Sequence, residues 1–342
     1  LVYPCSGFSS GRPCGAGACI LVPAAARRCV YKKYCITLIS FQKAPCLGTK
    51  APRVIPCTMI ISASRRTDIP AFFAEDFMAD VRKGYRDVPH PFDRSKSYRV
   101  DLSPEEVDAI VFWTRDPDPL VPHLPELEEY GYRCYFLYTL LDYPRNFEPR
   151  MRPVEERIAS FRSLADRIGQ GRVVWRYDPI LVTDITGFDF HRSTFRRLAG
   201  QLEGATDRVI LSFYDAYRST ERRLAKLDEE GIRRCTRDEL FETTGEASGD
   251  ARPKKETADF LRFVSKEAAR RHMRPTSCAE PVSLAPYGIE AAPCIDPELI
   301  EGELGIKVTR AKDRGQRKEC LCVRSRDIGE YGTCPAGCIY CY

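Results

Sequence analysis

Residues 109–116 read A-I-V-F-W-T-R-D: five apolar residues run straight into Thr114, Arg115 and Asp116. A short apolar run with β-branched and aromatic side chains predicts a strand buried on both faces, here ending at a polar tip. The same phrase recurs along the chain. Met59-Ile60-Ile61-Ser62-Ala63 leads into Ser64-Arg65-Arg66-Thr67-Asp68. The strand at 173–177 carries Arg176-Tyr177-Asp178 at its end, and 209–213 is followed by Tyr214-Asp215. Cys134-Tyr135-Phe136-Leu137-Tyr138-Thr139 is another such run, and a short strand is predicted near 275–278.

Amphipathic helices fill the intervals. Asp68 can cap a helix in which Phe73, Phe77 and Val81 fall at i, i+4 and i+8 before Gly84. Ile158, Phe161, Leu164 and Ile168 share one helical face, as do His191, Phe195, Leu198 and Leu202, and a further helix is read over 257–272. Apolar strands separated by helices require a parallel sheet. Five or six βα units predict an α/β fold of full or partial TIM-type (βα) barrel form over 59–288. The cysteine-rich segment 289–342 completes it. Residues 242–256, polar and Gly-containing, read as a surface insertion. No G-x-G-x-x-G or P-loop follows any strand, which argues against nucleotide-binding open sheets.

The composition, 43% apolar and 30% charged, excludes a disordered or fibrous chain. No run approaches the ~18 apolar residues of a membrane span. Residues 1–57 differ from the rest: they hold eight basic residues, no acid and seven of the 16 cysteines, with no helical or strand period. We read 1–58 as a non-native or disordered leader and Met59 as the start of the folded protein. The net charge of +5 for the whole chain becomes −3 without that leader. A nucleic-acid partner is therefore not favoured on bulk electrostatics.

In a βα barrel the reactive face lies at the carboxyl ends of the strands. Arg65, Arg66 and Asp68 stand there after the first strand and are candidates to shape a pocket for an anionic ligand. Arg176 and Asp178 sit inside the otherwise apolar V-V-W-R-Y-D-P-I-L, where an unpaired charge is costly. They require each other or a ligand, and are the candidate catalytic pair. The four histidines show no metal spacing, and His191 falls on the apolar side of its helix. No G-x-S-x-G or H-E-x-x-H supports a hydrolase.

Cys334, Cys338 and Cys341 spell C-x3-C-x2-C, with Tyr340 before the last. Three thiolates at that spacing can hold three irons of a [4Fe–4S] cluster and leave the fourth iron open for chemistry. Cys320-x-Cys322, with Cys278 and Cys294 upstream, forms a second candidate set for an iron–sulfur cluster or a zinc ion. A metal-binding tail disfavours disulfides and reads as cytoplasmic.

Four segments together resemble one family: M-I-I-S-A-S-R-R-T-D-I-P from Met59, I-V-F-W-T-R-D-P from Ile110, W-R-Y-D-P-I-L from Trp175, and the tail E-C-L-C-V-R-S-R-D-I-G-E-Y-G-T-C-P-A-G-C-I-Y-C-Y. It is the bacterial family numbered 1848 among domains of unknown function. The terminal cysteines are similar to the motif that radical S-adenosylmethionine enzymes carry near their start. That resemblance implies that Cys334, Cys338 and Cys341 ligate the cluster while S-adenosylmethionine chelates the fourth iron. One electron then cleaves a carbon–sulfur bond to give a 5′-deoxyadenosyl radical, with Tyr340 packed over the cluster. It also implies a flavodoxin- or ferredoxin-type electron donor and a substrate, small or macromolecular, that is not identified. Because the motif lies at the opposite end, the barrel is expected to be circularly permuted, with 324–328 paired beside Met59–Ala63. Two other functions fit the same tail: a non-catalytic zinc or iron–sulfur protein, and a nucleic-acid repair or binding protein using the cluster.

Overall fold

The computed structural model describes residues 59–91, 93–243 and 251–341, so the expected leader lies outside the described residues. The described residues begin with β1 (Met59–Ala63), α1 (Ile69–Phe72) and α2 (Ala74–Lys83), followed by a hairpin of β2 (Tyr85–His90) and β3 (Asp93–Asp101). Next come β4 (Val107–Thr114), α3 (Leu124–Glu129), β5 (Cys134–Thr139), α4 (Val154–Ile168), β6 (Val173–Ile180), α5 (Phe188–Gln201) and β7 (Arg208–Phe213). The second half holds α6 (Arg218–Glu229), α7 (Arg237–Leu240) and the small hairpin β8 (Phe241–Thr243) and β9 (Ala251–Pro253). It ends with α8 (Lys255–Arg270), β10 (Arg274–Ser277), β11 (Glu290–Ala291), α9 (Pro297–Leu304) and β12 (Arg326–Asp327).

Eight strands form one parallel sheet in the order β11-β10-β7-β6-β5-β4-β1-β12. β11 and β12 are its two unpaired edges, so the barrel is partial and does not close. The expected permuted pairing is present: Ile61 lies opposite Arg326 and Ser62 opposite Asp327. The expected single helix after Asp68 is two, α1 and α2, meeting at Phe73. Gly84 ends α2 in the left-handed conformation, as its lack of a Cβ permits.

Alternation along the strands sorts side chains into two cores. Ile61, Ile110, Phe112, Phe136, Trp175, Tyr177 and Leu211 pack against Phe77, Phe161, Phe195 and Phe260 of the helices. Ile60, Ala109, Val111, Leu137, Val174 and Ile210 face the other way. Among the described residues they pack against the tail, through Ile295, Leu299, Ile300, Leu304 and Val323. Trp175 and Tyr177 thus belong to the outer core, whereas Val174, two residues from Arg176, belongs to the inner one. The strand accommodates Arg176 and Asp178 because period two sends them away from the helices and towards that interior.

His191 packs as the sequence predicts, fully buried on α5 among the rings of Tyr143, Tyr177, Phe190 and Phe260. Its Nε2 donates to Leu181 O at 3.3 Å, which leaves Nδ1 to accept from Tyr177 Oη at 2.8 Å. Burial lowers its pKa to about 4. The unfolded chain binds this proton more readily, near the usual ~6.5, so stability should fall as pH drops from there towards about 4. The slope is up to ~1.4 kcal/mol per pH unit. Urea unfolding at pH 7 and pH 5 measures it, and the loss should be smaller in His191→Gln than in the parent.

Candidate functional site

At the carboxyl ends of the strands lies a cavity of about 280 Å³. Its walls come from the turns after β1, β4, β6, β7 and β10 and from the tail after β12. The candidates Arg65, Arg66, Asp68, Arg176 and Asp178 line it, together with Tyr340. So do Cys334, Cys338 and Cys341 on one segment, and Cys278, Cys320 and Cys322 on others. Cys294 is the one candidate outside the lining, buried against Cys278.

The triad is carried by the segment that follows β12. Cys338 is buried, Cys334 half-buried and Cys341 exposed. Ile339 N donates to Phe147 O at 3.1 Å, which ties the loop to the segment between β5 and α4. Tyr340 is buried, its ring 5.5 Å from that of Tyr143. Its hydroxyl donates to the Glu148 carboxylate and accepts from Arg115 Nη1 at 2.5 Å. Arg115 and Arg157 both pair with Glu148. Tyr340 is therefore fixed by a buried network as well as by packing, and the burial of its phenol raises its pKa well above the usual value. Burial likewise raises the Cys338 thiol, against the pull of Arg115.

The second set converges from three segments. Cys294 Sγ donates to Cys278 Sγ at 3.1 Å, far longer than a disulfide bond. Cys322 receives Ile295 N at 3.3 Å. Hydrogen bonds from Cys294 and Cys320, with Arg65 alongside, hold its thiol well below the usual range. Among the described residues, no group of three or more His, Cys, Asp or Glu side chains converges so as to hold a metal ion as it stands.

Two guanidiniums flank one indole: Arg176 lies 4.7 Å and Arg65 5.3 Å from the centre of the Trp113 ring. Arg176 is ion-paired with Asp178, so the embedded charges do satisfy each other. Asp68 caps α1, its two oxygens accepting Ala71 N at 3.1 Å and Arg115 N at 2.8 Å. Burial raises its pKa to about 6. It braces the turn, while the arginines supply the cavity's charge.

Sequence reasoning did not single out Trp113, Glu148, Arg223 or Asp327. Trp113 was within reach, because it continues the inward register of Ala109 and Val111. Asp327 accepts from Ser62 Oγ, Ser64 Oγ, Arg65 N and Gly329 N at 2.7–3.0 Å. Gly329 passes so close that a Cβ there would collide with the Ser64 side chain. A lone Asp in the tail carries no such signal in sequence.

No curated protein and no solved structure matches the chain. A family model matches residues 60–342, and the chain belongs to that family, described as Domain of unknown function (DUF1848).

Proposed function

We propose that the chain binds a [4Fe–4S] cluster on Cys334, Cys338 and Cys341 and S-adenosylmethionine beside it, and performs radical chemistry on a substrate in the same cavity. The observation that carries this reading is the shared cavity: the triad fronts the same space as Arg176 and Asp178, at the carboxyl ends of parallel strands. The donor set fits. The three thiols line one cavity, and three thiolates can hold a [4Fe–4S] cluster with one iron left open. The strand order gives further support. Reading from β12 through β1 to β10 puts the cysteine segment after the first strand, as circular permutation requires.

When bound, the cluster supplies the electron that reductively cleaves S-adenosylmethionine. The chain's own residues position and enclose. Tyr340, held by Glu148 and Arg115, fixes the loop between Cys338 and Cys341 and keeps water from that side. Asp178 orients the Arg176 guanidinium over Trp113. Cys278, Cys294, Cys320 and Cys322 are assigned to a second metal centre, zinc or iron–sulfur, once deprotonated and spread from their present contacts. The contact of buried sulfurs from three separate segments supports that assignment. A flavodoxin- or ferredoxin-type donor would reduce the cluster.

The test is anaerobic reconstitution followed by iron and sulfide analysis, then incubation with dithionite and S-adenosylmethionine. A brown protein that releases 5′-deoxyadenosine is expected. A colourless, zinc-loaded protein that leaves S-adenosylmethionine intact would overturn the reading in favour of a non-catalytic metal protein.

A further inference from the structure

We propose that the cavity holds an oxyanion, the carboxylate or phosphate of the substrate, on Arg223, Arg65 and Arg176 around the indole of Trp113. Calling that ligand a substrate rests on the function proposed above; the anion site itself does not. The lining contains six arginines and three aspartates, with no lysine or glutamate. Most of these cations are already matched: Arg176 by Asp178, Arg317 by Asp215, Arg115 by Glu148, and Arg66 by Asp327 at 3.8 Å. Arg65 has only Asp313, at 4.0 Å, among its side-chain ion pairs. Arg223, on α6, keeps its buried Nε without a hydrogen-bond partner among the described residues.

The donors tell the same story. Arg223 Nε, Arg65 Nη2, Arg176 Nε, Arg115 Nε and Trp113 Nε1 are all buried without an acceptor. Buried donors are nearly always satisfied, and orphaned cationic ones are the most costly. Five such donors around one cavity, each still without an acceptor although Arg115, Arg176 and Arg65 have carboxylate partners for their other nitrogens, call for a ligand that brings several lone pairs and negative charge. In the function proposed above, the carboxylate of S-adenosylmethionine is taken by iron. These arginines are then left for the other molecule in the cavity.

The test uses the full chain carrying Cys338→Ala, in which the cluster triad is broken and the cavity cations remain. Trp113 and Trp175 are the two tryptophans, and Trp175 is fully buried outside the cavity lining. An anion-dependent change in tryptophan emission therefore reports on Trp113. Inorganic phosphate and, separately, acetate are titrated at ionic strength held constant with chloride. A saturable change is expected, and the anion with the lower half-saturation names the head group. Adding Arg223→Gln should raise that half-saturation about tenfold or more, with Arg223→Lys recovering part of it. Circular dichroism checks the fold, and Arg65→Gln provides an independent second variant. No saturable change with either anion overturns the proposal. So does unchanged binding in both glutamine variants, or loss of iron from cluster-competent Arg223→Gln with anion binding intact. Because the titration needs no cluster, it can succeed where S-adenosylmethionine cleavage fails, and the reverse.

Discussion

Cys338→Ala is expected to abolish the brown colour of reconstituted protein and reduce 5′-deoxyadenosine release by more than ~100-fold, while the fold survives. The magnitude follows from the proposed ligation. Residues that merely orient a metal ligand already cost 10–100-fold when removed, so loss of a ligand should exceed that range. Survival of the fold follows from what the side chain touches. Cys338 is buried, but its neighbours Ile339 and Tyr340 anchor the loop through Phe147 O and the Glu148–Arg115 network. None of those contacts uses the thiol. Deleting one small buried group should cost only about 1–2 kcal/mol. Cys235→Ala is the matched control, since that thiol lies outside the cavity and should leave iron content unchanged. Iron retained at parental levels in Cys338→Ala would remove the triad from the site.

The parts of this architecture that were legible are those written as local pattern. The apolar runs of β1, β4, β5, β6 and β7 stand out because parallel strands buried on both faces cannot afford interruption. Arg176 and Asp178 could be placed on one face from period two alone. The pairing of β12 with β1 was inferable from the cysteine motif's position, because a permuted barrel leaves a gap beside Met59–Ala63 that only the tail can fill. The β2–β3 hairpin was not legible. Its buried side chains are few, Val88 and Val100 among them, and the rest is polar and shows no apolar run. The tail's second task, covering the inner face of the sheet, was hidden for a related reason. Ile295, Leu299, Ile300, Leu304 and Val323 are spread over a mostly irregular segment, and only α9 among them repeats at helical spacing. Glu148 is a single acid in a Pro-flanked loop. Nothing local marks it as the acceptor for two arginines and a tyrosine from three other segments.

That long-range dependence makes the loss of Asp327 strongly damaging to the fold. Its carboxylate takes four donors: Ser62 Oγ at 2.8 Å, Ser64 Oγ at 2.7 Å, Arg65 N at 2.9 Å and Gly329 N at 3.0 Å. Asp327→Ala would leave all four without that acceptor in a buried setting, with Arg66 deprived of its ion-pair partner. Hydrogen bonds to a charged group contribute more than neutral ones, and stranded donors add their own cost, though the terms do not sum. A loss of about 3–5 kcal/mol is expected, a large share of the ~5–15 kcal/mol typical of a whole domain. Asp327→Asn should lose less, keeping one acceptor oxygen, and Ser62→Ala about 1 kcal/mol. β12 is a two-residue edge strand held to β1 by a short backbone ladder and by this side chain, and the cysteine segment follows it. Asp327→Ala should therefore lose iron with every cysteine still present, where Cys338→Ala loses iron with stability nearly intact. Urea unfolding alongside iron analysis of both variants separates the two causes. A stable Asp327→Ala protein that still turns brown would mean that the triad is positioned by something other than the edge of the sheet.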